Sequence, residues 1–339
     1  MTGTVRAAGI DCGTNSMRLL IADVDLASGR PTDVRRHMEI VRLGQGVDRT
    51  GWFAPEALER AAEVIRWYAE LCREAGCEAV RVVATSAARD AANRNVFLDG
   101  VRTQLGVEAE VIDGLEEACL SFTGALASLR ADLPGPYLCV DLGGGSTEFA
   151  LGQAKPTAAY SMDVGCVRIT ERHLRSDPPT AGEIRAAERD IDHLLDLAAE
   201  HLPLGSARTV VGLAGSITSV TAHALGLADY SPEQIDGAEL TVEQLLAACE
   251  ELWTSSRAVR SRLAYMHPGR VDVIGAGALV WSRVLLRLRA EVEAAGGLLE
   301  RVITSEHDIL DGLAISAARA FRDGSGLRFD RCSEPPAGR

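Results

Sequence analysis

The same short signature occurs twice in the chain, once near its start and once near its middle. The first copy is Gly9-Ile10-Asp11-Cys12-Gly13-Thr14-Asn15-Ser16, and the second is Cys139-Val140-Asp141-Leu142-Gly143-Gly144-Gly145-Ser146. In each copy an apolar stretch typical of a buried strand ends at an aspartate, and a glycine-containing turn with hydroxyl side chains follows. Glycine permits a tight turn whose backbone N–H groups point outward, and such a concavity binds phosphate oxygens. We therefore predict two phosphate-binding loops, which we assign to Asp11, Gly13, Thr14, Asn15 and Ser16 and to Gly143, Gly144, Gly145, Ser146 and Thr147.

The two copies differ at the seventh position after the aspartate, where the first has Arg18 and the second has Glu148. On a strand that leaves the turn these positions are equivalent, so one loop presents a cation and the other a carboxylate. Mg²⁺ favours one or two carboxylates together with water and substrate oxygens. Asp141 and Glu148 are therefore a predicted magnesium site, with Mn²⁺ as the alternative metal. A turn cap for Asp141 and an exposed strand position for Glu148 are the structural alternatives.

Arginine is almost the only cation available for phosphate. The single lysine, Lys155, lies in a Gln-Ala-Lys-Pro turn, which excludes the nucleotide-binding loop that ends in Gly-Lys-Ser/Thr. Arginine holds two phosphate oxygens at once and stays charged. We therefore assign phosphate contacts to Arg18 and to Arg89. A third turn, at Gly215 and Ser216, suits an anion at a helix N-terminus, but a plain helix start explains it equally well.

Composition and charge limit the class of protein. At 339 residues, 47% of them hydrophobic, the chain is long enough for two cores. Its formal net charge of −13 argues against nucleic-acid binding through a broad basic face. No stretch approaches the roughly 18 apolar residues of a membrane span, and the N-terminus lacks a signal-peptide pattern, so we expect a cytoplasmic protein. The eight cysteines show no Cys-x-x-Cys spacing and are interpreted as reduced core residues.

Hydrophobic periodicity divides the chain into two halves with the same opening. The first half is predicted as strands over 7–11, 18–24 and 34–43, a helix over 55–74, a strand over 81–84, a helix that contains Arg89, a strand over 108–112 and a helix over 115–129. After a linker at 132–136 come strands over 137–141, 148–152 and 157–162 and then helices. A strand over 208–213, a helix over 217–225, a strand over 300–303 and a helix over 308–321 follow. We predict a first domain over 1–130, a second over 137–322 and a disordered tail over 323–339.

Two halves that each open with three strands and a glycine-rich turn match the duplicated ribonuclease-H-like architecture of actin, sugar kinases and Hsp70-type chaperones. The expected fold class is therefore α/β, with two ribonuclease-H-like domains and a cleft between them. Four motifs narrow the resemblance: Ile10-Asp11-x-Gly13-Thr14-Asn15-Ser16-x-Arg18-Leu19, Ala84-Thr85-Ser86-x-x-Arg89-x-Ala91-x-Asn93, Gly114-x-Glu116-Glu117-Ala118 and Val140-Asp141-x-Gly143-Gly144-Gly145-Ser146-Thr147-Glu148. In this order, over residues 5–320, the chain resembles the exopolyphosphatase and guanosine pentaphosphate phosphatase family. It resembles a short form, without the helical HD-type domain that longer members append.

The resemblance bears on Glu117, which follows a strand end in the first turn of a helix. A carboxylate there also simply complements the helix N-terminus. In the family the glutamate immediately before the alanine of Glu-Glu-Ala is the proposed base, and this position falls on Glu117. The resemblance implies metal-dependent hydrolysis of the terminal phosphate of inorganic polyphosphate by water that Glu117 activates. Because no appended domain is expected and the net charge of −13 repels a long polyanion, we expect short chains to be used at least as well as long ones. Guanosine pentaphosphate is the alternative substrate. A kinase of the same superfamily and a non-catalytic polyphosphate or alarmone sensor are further alternatives, and a homodimer is left open.

Overall fold

The computed structural model describes residues 3–324 and residue 329. It divides the chain into two compact units. Unit 1 consists of the chain up to Ser128 together with the chain from Ile309, and unit 2 is Leu129–Asp308. Among the residues described, no helix combines the length and the apolar character of a bilayer-spanning segment.

Unit 1 is an α/β unit. Its elements up to Ser128 are β1 (Thr4–Cys12), β2 (Ser16–Asp25), β3 (Pro31–Ile40), α1 (Val47–Thr50), α2 (Pro55–Ala75), β4 (Ala79–Ala84), α3 (Ser86–Asp90), α4 (Arg94–Leu105), β5 (Ala109–Val111) and α5 (Gly114–Ser128). The described strands form a five-stranded sheet in the order β3-β2-β1-β4-β5. The first three strands are antiparallel neighbours, whereas β4 and β5 run parallel to β1.

The sheet of unit 1 is buried on both faces. Successive side chains of a strand point to opposite sides, so alternate residues of β1 enter two different cores. From β1, Ala8 and Ile10 pack with α2 and α4 on one face. Val5 and Ala7 pack on the other face against the C-terminal helix α13 (Ile309–Arg322). This double burial explains why β1 reads as a nearly continuous apolar run.

Unit 2 repeats this plan. Its elements are β6 (Tyr137–Leu142), β7 (Thr147–Gly152), β8 (Pro156–Met162), α6 (Cys166–His173), α7 (Ala181–His201), β9 (Thr209–Leu213), α8 (Ala214–Ala224), α9 (Pro232–Ile235), β10 (Glu239–Thr241), α10 (Val242–Thr254), α11 (Arg257–Arg260), α12 (Ile274–Ala294) and β11 (Arg301–Thr304). The described strands form a six-stranded sheet in the order β10-β11-β9-β6-β7-β8. Strands β6, β7 and β8 are antiparallel neighbours, β9 and β11 run parallel to β6, and β10 adds an antiparallel edge.

The strand orders establish an internal duplication. Reading β6, β7, β8, β9 and β11 as the counterparts of β1 to β5, the two sheets have the same order and the same strand directions. This is the α/β fold with two ribonuclease-H-like domains that the sequence predicts. In each sheet the loop between the first and second strands lies at the same end of the sheet as the carboxyl ends of the parallel strands. Open α/β sheets bind their ligands at that end.

The predicted boundary of the second domain, 137–322, needs correction. Helix α13 belongs to unit 1, and unit 2 ends at Asp308. Leu310, Ala314 and Ile315 on α13 pack against strands β1 and β2, and the buried carboxylate of Asp311 forms a 2.9 Å ion pair with Arg36 of β3. The apolar stripe of α13 predicts a packed helix but does not identify the sheet that it covers.

The predicted elements otherwise correspond to observed ones with small shifts at their ends, and several observed elements were missed. Two helices, α3 and α4, occupy the region where one helix around Arg89 was expected. Strand β10 and helices α1, α9, α10, α11 and α12 were not predicted. Most of the predicted disordered tail, 323–339, lies outside the described residues. At Phe329 that prediction is wrong, because the side chain is buried in the unit 1 core and its N–H donates to Glu78 O at 3.2 Å.

Candidate active site

Residues 13–16, here called loop 1, connect β1 to β2 in a tight turn. The turn is closed by a 3.0 Å hydrogen bond from Gly13 N–H to Ser16 O. Asp11 and Arg18 lie directly opposite each other on the two antiparallel strands. Arg18 Nε and Nη2 donate to Asp11 Oδ2 at 3.0 and 2.7 Å, so the aspartate fixes the guanidinium beside the loop. A contact of Asp11 itself with phosphate remains a prediction.

Residues 143–146, here called loop 2, connect β6 to β7 with the same geometry. Gly143 N–H donates to Ser146 O at 3.0 Å, as in loop 1. Asp141 and Glu148 are register partners, as Asp11 and Arg18 are in unit 1. The predicted equivalence of Arg18 and Glu148 is therefore confirmed by the strand register.

Each loop offers two adjacent backbone amides for an anion. In the part of the chain that the structure describes, the N–H groups of Thr14 and Asn15 donate to no protein acceptor, and neither do those of Gly144 and Gly145. These are equivalent positions in the two loops. Adjacent outward amides on a tight turn carry partial positive charge and bind anionic oxygens. Both loops therefore have the chemistry of a phosphate-binding turn.

Glu117 lies at the same edge of the unit 1 sheet as loop 1, because β1, β4 and β5 run parallel and end together. It occupies the first turn of α5, and its side chain is only 12% exposed. Arg89 on α3 follows β4, and its Nη1 donates to Glu117 Oε2 at 2.8 Å and to Ile112 O at 3.0 Å. The structure thus joins the predicted base and a predicted phosphate cation in one ion pair. The neighbouring Glu116 instead pairs with Arg81 at 2.5 Å.

Asp141 and Glu148 fit a divalent cation in chemistry and placement. They face each other across the β6–β7 ladder, and both side chains are buried. Two carboxylates side by side on neighbouring strands are a ligand set that Mg²⁺ accepts. Ser161 Oγ donates to Glu148 Oε1 at 2.7 Å and orients the carboxylate. No group of three or more potential metal ligands occurs in the described residues, so a bound Mg²⁺ would take its other ligands from water and substrate, which suits this ion.

Arg270, which was not predicted from the sequence, lies against the third predicted turn, at Gly215 and Ser216. The guanidinium of Arg270 lies against the backbone of Gly215, so that a side chain at that position would meet it within 2.3 Å. Arg270 Nη1 also donates to Ser219 Oγ at 3.3 Å. Ala214, the preceding residue, has a φ of 69°, a left-handed conformation that costs a non-glycine residue roughly 1–3 kcal/mol. Nothing in the local sequence of Arg270 distinguishes it from the many other arginines of the chain.

The thiols beside the loops stay protonated. Burial raises the pKa of the Cys12 thiol, and the charge of Asp11 raises it further. Burial and Asp141 act in the same way on the pKa of Cys139. Since the thiolate is the nucleophilic form, neither cysteine is suited to attack phosphorus. The cysteines in the described part of the chain are free, and most are buried, as predicted, whereas Cys332 lies outside the described residues.

We therefore expect Cys12 and Cys139 to resist iodoacetamide in the folded protein at about pH 8, because the alkylating agent needs an accessible thiolate. Mass spectrometry of the digested protein would measure the labelled fraction, and labelling in denaturant is the control that shows both thiols to be reactive once exposed. Rapid labelling of either thiol in the folded protein would contradict this expectation.

The chain is similar over most of its length to phosphatases of one family. The family model of the Ppx/GppA phosphatase family matches residues 20–308. The chain is 50% identical over 320 residues to Exopolyphosphatase 2 of Mycobacterium tuberculosis, which covers 92% of this chain and 98% of that protein. The crystal structure of an exopolyphosphatase-like protein has a TM-score of 0.91 at 45% identity and covers 94% of this chain and 99% of that one. The PPX-GPPA enzyme of Aquifex aeolicus has a TM-score of 0.75 at 30% identity, with coverages of 92% and 99%. The protein is an enzyme of the Ppx/GppA phosphatase family.

Proposed function

We propose that this enzyme is an exopolyphosphatase that removes the terminal phosphate of inorganic polyphosphate by metal-dependent hydrolysis. The main support for the proposal is that the same tight turn occurs in both units. An aspartate lies opposite an arginine beside the turn in unit 1 and opposite a glutamate in unit 2. One copy is thereby suited to bind anionic oxygens and the other to hold a metal ion. The name of the M. tuberculosis relative, Exopolyphosphatase 2, supports the same substrate class.

Hydrolysis of a phosphoanhydride requires charge neutralisation on the transferred phosphoryl group and a positioned water molecule. We assign the first task to the loop amides and to Arg18, which Asp11 orients. Glu117 would accept the proton of the attacking water, so that no covalent intermediate forms. Arg89 keeps the Glu117 carboxylate in one orientation through their 2.8 Å bond and supplies positive charge next to it.

The metal requirement follows from the second copy of the turn. Asp141 and Glu148 would hold Mg²⁺, with Mn²⁺ as the alternative ion. When bound, the ion supplies Lewis-acid stabilisation of the phosphoryl oxygens. Ser161 maintains the orientation of Glu148, and the amides of Gly144 and Gly145 would bind the phosphate.

The family resemblance keeps guanosine pentaphosphate as the alternative substrate, because it also ends in a phosphate chain. A kinase must keep water out of its site, whereas Glu117, a carboxylate in the first turn of α5, would accept a proton from water. A non-catalytic polyphosphate sensor would need no such carboxylate, and Glu117, Asp141 and Glu148 therefore favour turnover.

Phosphate release from short polyphosphate, long polyphosphate, guanosine pentaphosphate and ATP, measured side by side with Mg²⁺, tests the proposal. We expect polyphosphate to be the best substrate and short chains to be used at least as well as long ones. The net charge of −13 repels the part of a long polyanion that extends beyond the site. Salt screens this repulsion, which extends only about 8 Å at physiological ionic strength. Added salt should therefore reduce the difference in phosphate release between short and long chains.

Guanosine pentaphosphate as the fastest substrate would support the alternative. Binding of polyphosphate without any phosphate release would support the sensor. A strong preference for chains of hundreds of phosphates would contradict the expected chain length.

A further inference from the structure

Residues 164–168, which follow β8 and begin α6, contact the backbone of loop 2. Cys166 N–H donates to Gly143 O at 3.1 Å, and Val167 N–H donates to Gly144 O at 2.8 Å. The third carbonyl, Gly145 O, accepts from a side chain: Arg168 Nε donates to it at 2.8 Å. All three glycine carbonyls are thus bonded to residues of the first turn of α6.

The same segment is in close contact with the loop. A side chain at Gly165 would meet backbone atoms of Gly144 and Gly145 at 2.4–2.6 Å, so only glycine fits there. Thr147 Oγ1 donates to Val164 O at 2.6 Å. Arg168 itself is only 8% exposed, which places a buried guanidinium against the phosphate loop.

These bonds decide which groups the loop presents to a ligand. In a trans peptide the carbonyl and the next N–H point in opposite directions. A carbonyl held toward α6 therefore directs the following amide away from α6. The bonds to Gly143 O and Gly144 O direct the amides of Gly144 and Gly145, and the bond from Arg168 fixes the next peptide plane by its carbonyl, Gly145 O. Three consecutive glycines make each peptide plane easy to turn over, and a reversed plane would present a carbonyl to phosphate.

In unit 1, backbone N–H groups bond to the corresponding loop carbonyls. These carbonyls accept from the segment that follows β3, where Gly44 N–H donates to Thr14 O and Arg42 N–H donates to Asn15 O, both at 2.8 Å. Asn15 corresponds to Gly145. Arg42 reaches that carbonyl with its backbone, in a left-handed conformation with a φ of 51°. In unit 2 the guanidinium of Arg168 replaces this backbone donor.

We infer that Arg168 is a positioning residue for phosphate binding: its bond to Gly145 O holds that carbonyl toward α6, so that loop 2 does not turn this carbonyl toward the phosphate chain. Arg168 acts through the loop rather than by touching substrate. The inference rests on the proposed function, because it assumes that loop 2 binds the phosphate chain.

The test compares Arg168→Met, which keeps much of the length but has no donor, with Arg168→Lys, which retains one charged donor. Arg283→Met is the control for loss of an arginine elsewhere in unit 2, because the Arg283 side chain, which is 27% exposed and less buried than Arg168, pairs with Asp192 at 2.7 Å. The measurements are kcat and KM for tripolyphosphate, the Kd of tripolyphosphate by calorimetry in a Glu117→Gln background, and the melting temperature.

We expect Arg168→Met to raise KM and Kd by roughly tenfold or more, as loss of a hydrogen bond from a charged donor does. Arg168→Lys should recover part of that loss, and Arg283→Met should stay within about twofold of the parent. If Arg168→Met does not fold, Arg168→Lys decides: raised KM and Kd with a melting temperature near that of Arg283→Met support the inference, and parent-like values overturn it.

Parent-like KM and Kd in both folded Arg168 variants would overturn the inference and leave the proposed function intact, since the parent would still hydrolyse tripolyphosphate. A parent enzyme that neither binds nor hydrolyses tripolyphosphate would overturn the proposed function, and the inference with it.

Discussion

Replacement of Glu117 by glutamine is expected to lower kcat for polyphosphate by roughly 10²–10⁴-fold, the usual contribution of a general base. Glutamine keeps the size of the side chain and can still accept a hydrogen bond from Arg89, which now bonds Glu117 Oε2 at 2.8 Å. It cannot take a proton from water at neutral pH. The Kd of the substrate should therefore change little, and the loss should appear in single-turnover phosphate release.

Glu116→Gln is the matched control for this experiment. Glu116 lies next to Glu117 in the first turn of α5, but it pairs with Arg81 rather than with Arg89. Both substitutions remove one negative charge from the same helix N-terminus, so a general effect on the helix would appear in both variants. Activity of Glu117→Gln within a few-fold of the parent, or equal losses in the two variants, would rule out Glu117 as the base.

Asp141→Asn and Glu148→Gln should each raise the Mg²⁺ concentration for half-maximal activity by roughly tenfold or more, since even residues that only orient metal ligands contribute 10–100-fold to metal affinity. Each change removes one anionic oxygen from a site with few protein ligands. Titration of activity with Mg²⁺ at saturating substrate measures the effect. Ser161→Ala, which removes the 2.7 Å bond to Glu148, should give a smaller shift in the same direction.

Asp163→Asn is the control for the metal experiment, because Asp163 is an exposed carboxylate of the same unit. It lowers the negative charge near β8 without touching the Asp141–Glu148 pair. An unchanged Mg²⁺ dependence in both Asp141→Asn and Glu148→Gln would show that these carboxylates serve the structure. A shift of equal size in Asp163→Asn would point to the overall charge of the unit.

The sequence was informative where the determining interactions are local. The spacing from Asp11 to Arg18 and from Asp141 to Glu148 predicted two equivalent turns, and the strand register confirms them. A tight turn fixes the pairing of its flanking strands, so the spacing alone identified the residues that face each other. The convergence of Arg89 and Glu117 was also accessible, because both follow parallel strands that end at one edge.

Features that depend on distant packing were not accessible from the sequence. The apolar stripe of α13 did not reveal that this helix crosses back to unit 1. Arg168 and Arg270 acquire their roles from the backbone atoms that they contact, Gly145 O and the Gly215 backbone. A single sequence carries no sign of those contacts, since one arginine among many has no local pattern that marks it.

The central claim is hydrolysis at the chain end, and ³¹P NMR of polyphosphate of defined length, with the enzyme and Mg²⁺, tests it most directly. The account predicts that the orthophosphate signal grows while internal phosphates disappear and the number of chain-end phosphates stays constant until the chains become short. Growth of the chain-end signal without orthophosphate would show internal cleavage, and an unchanged spectrum would show no hydrolysis. Either result would contradict the account.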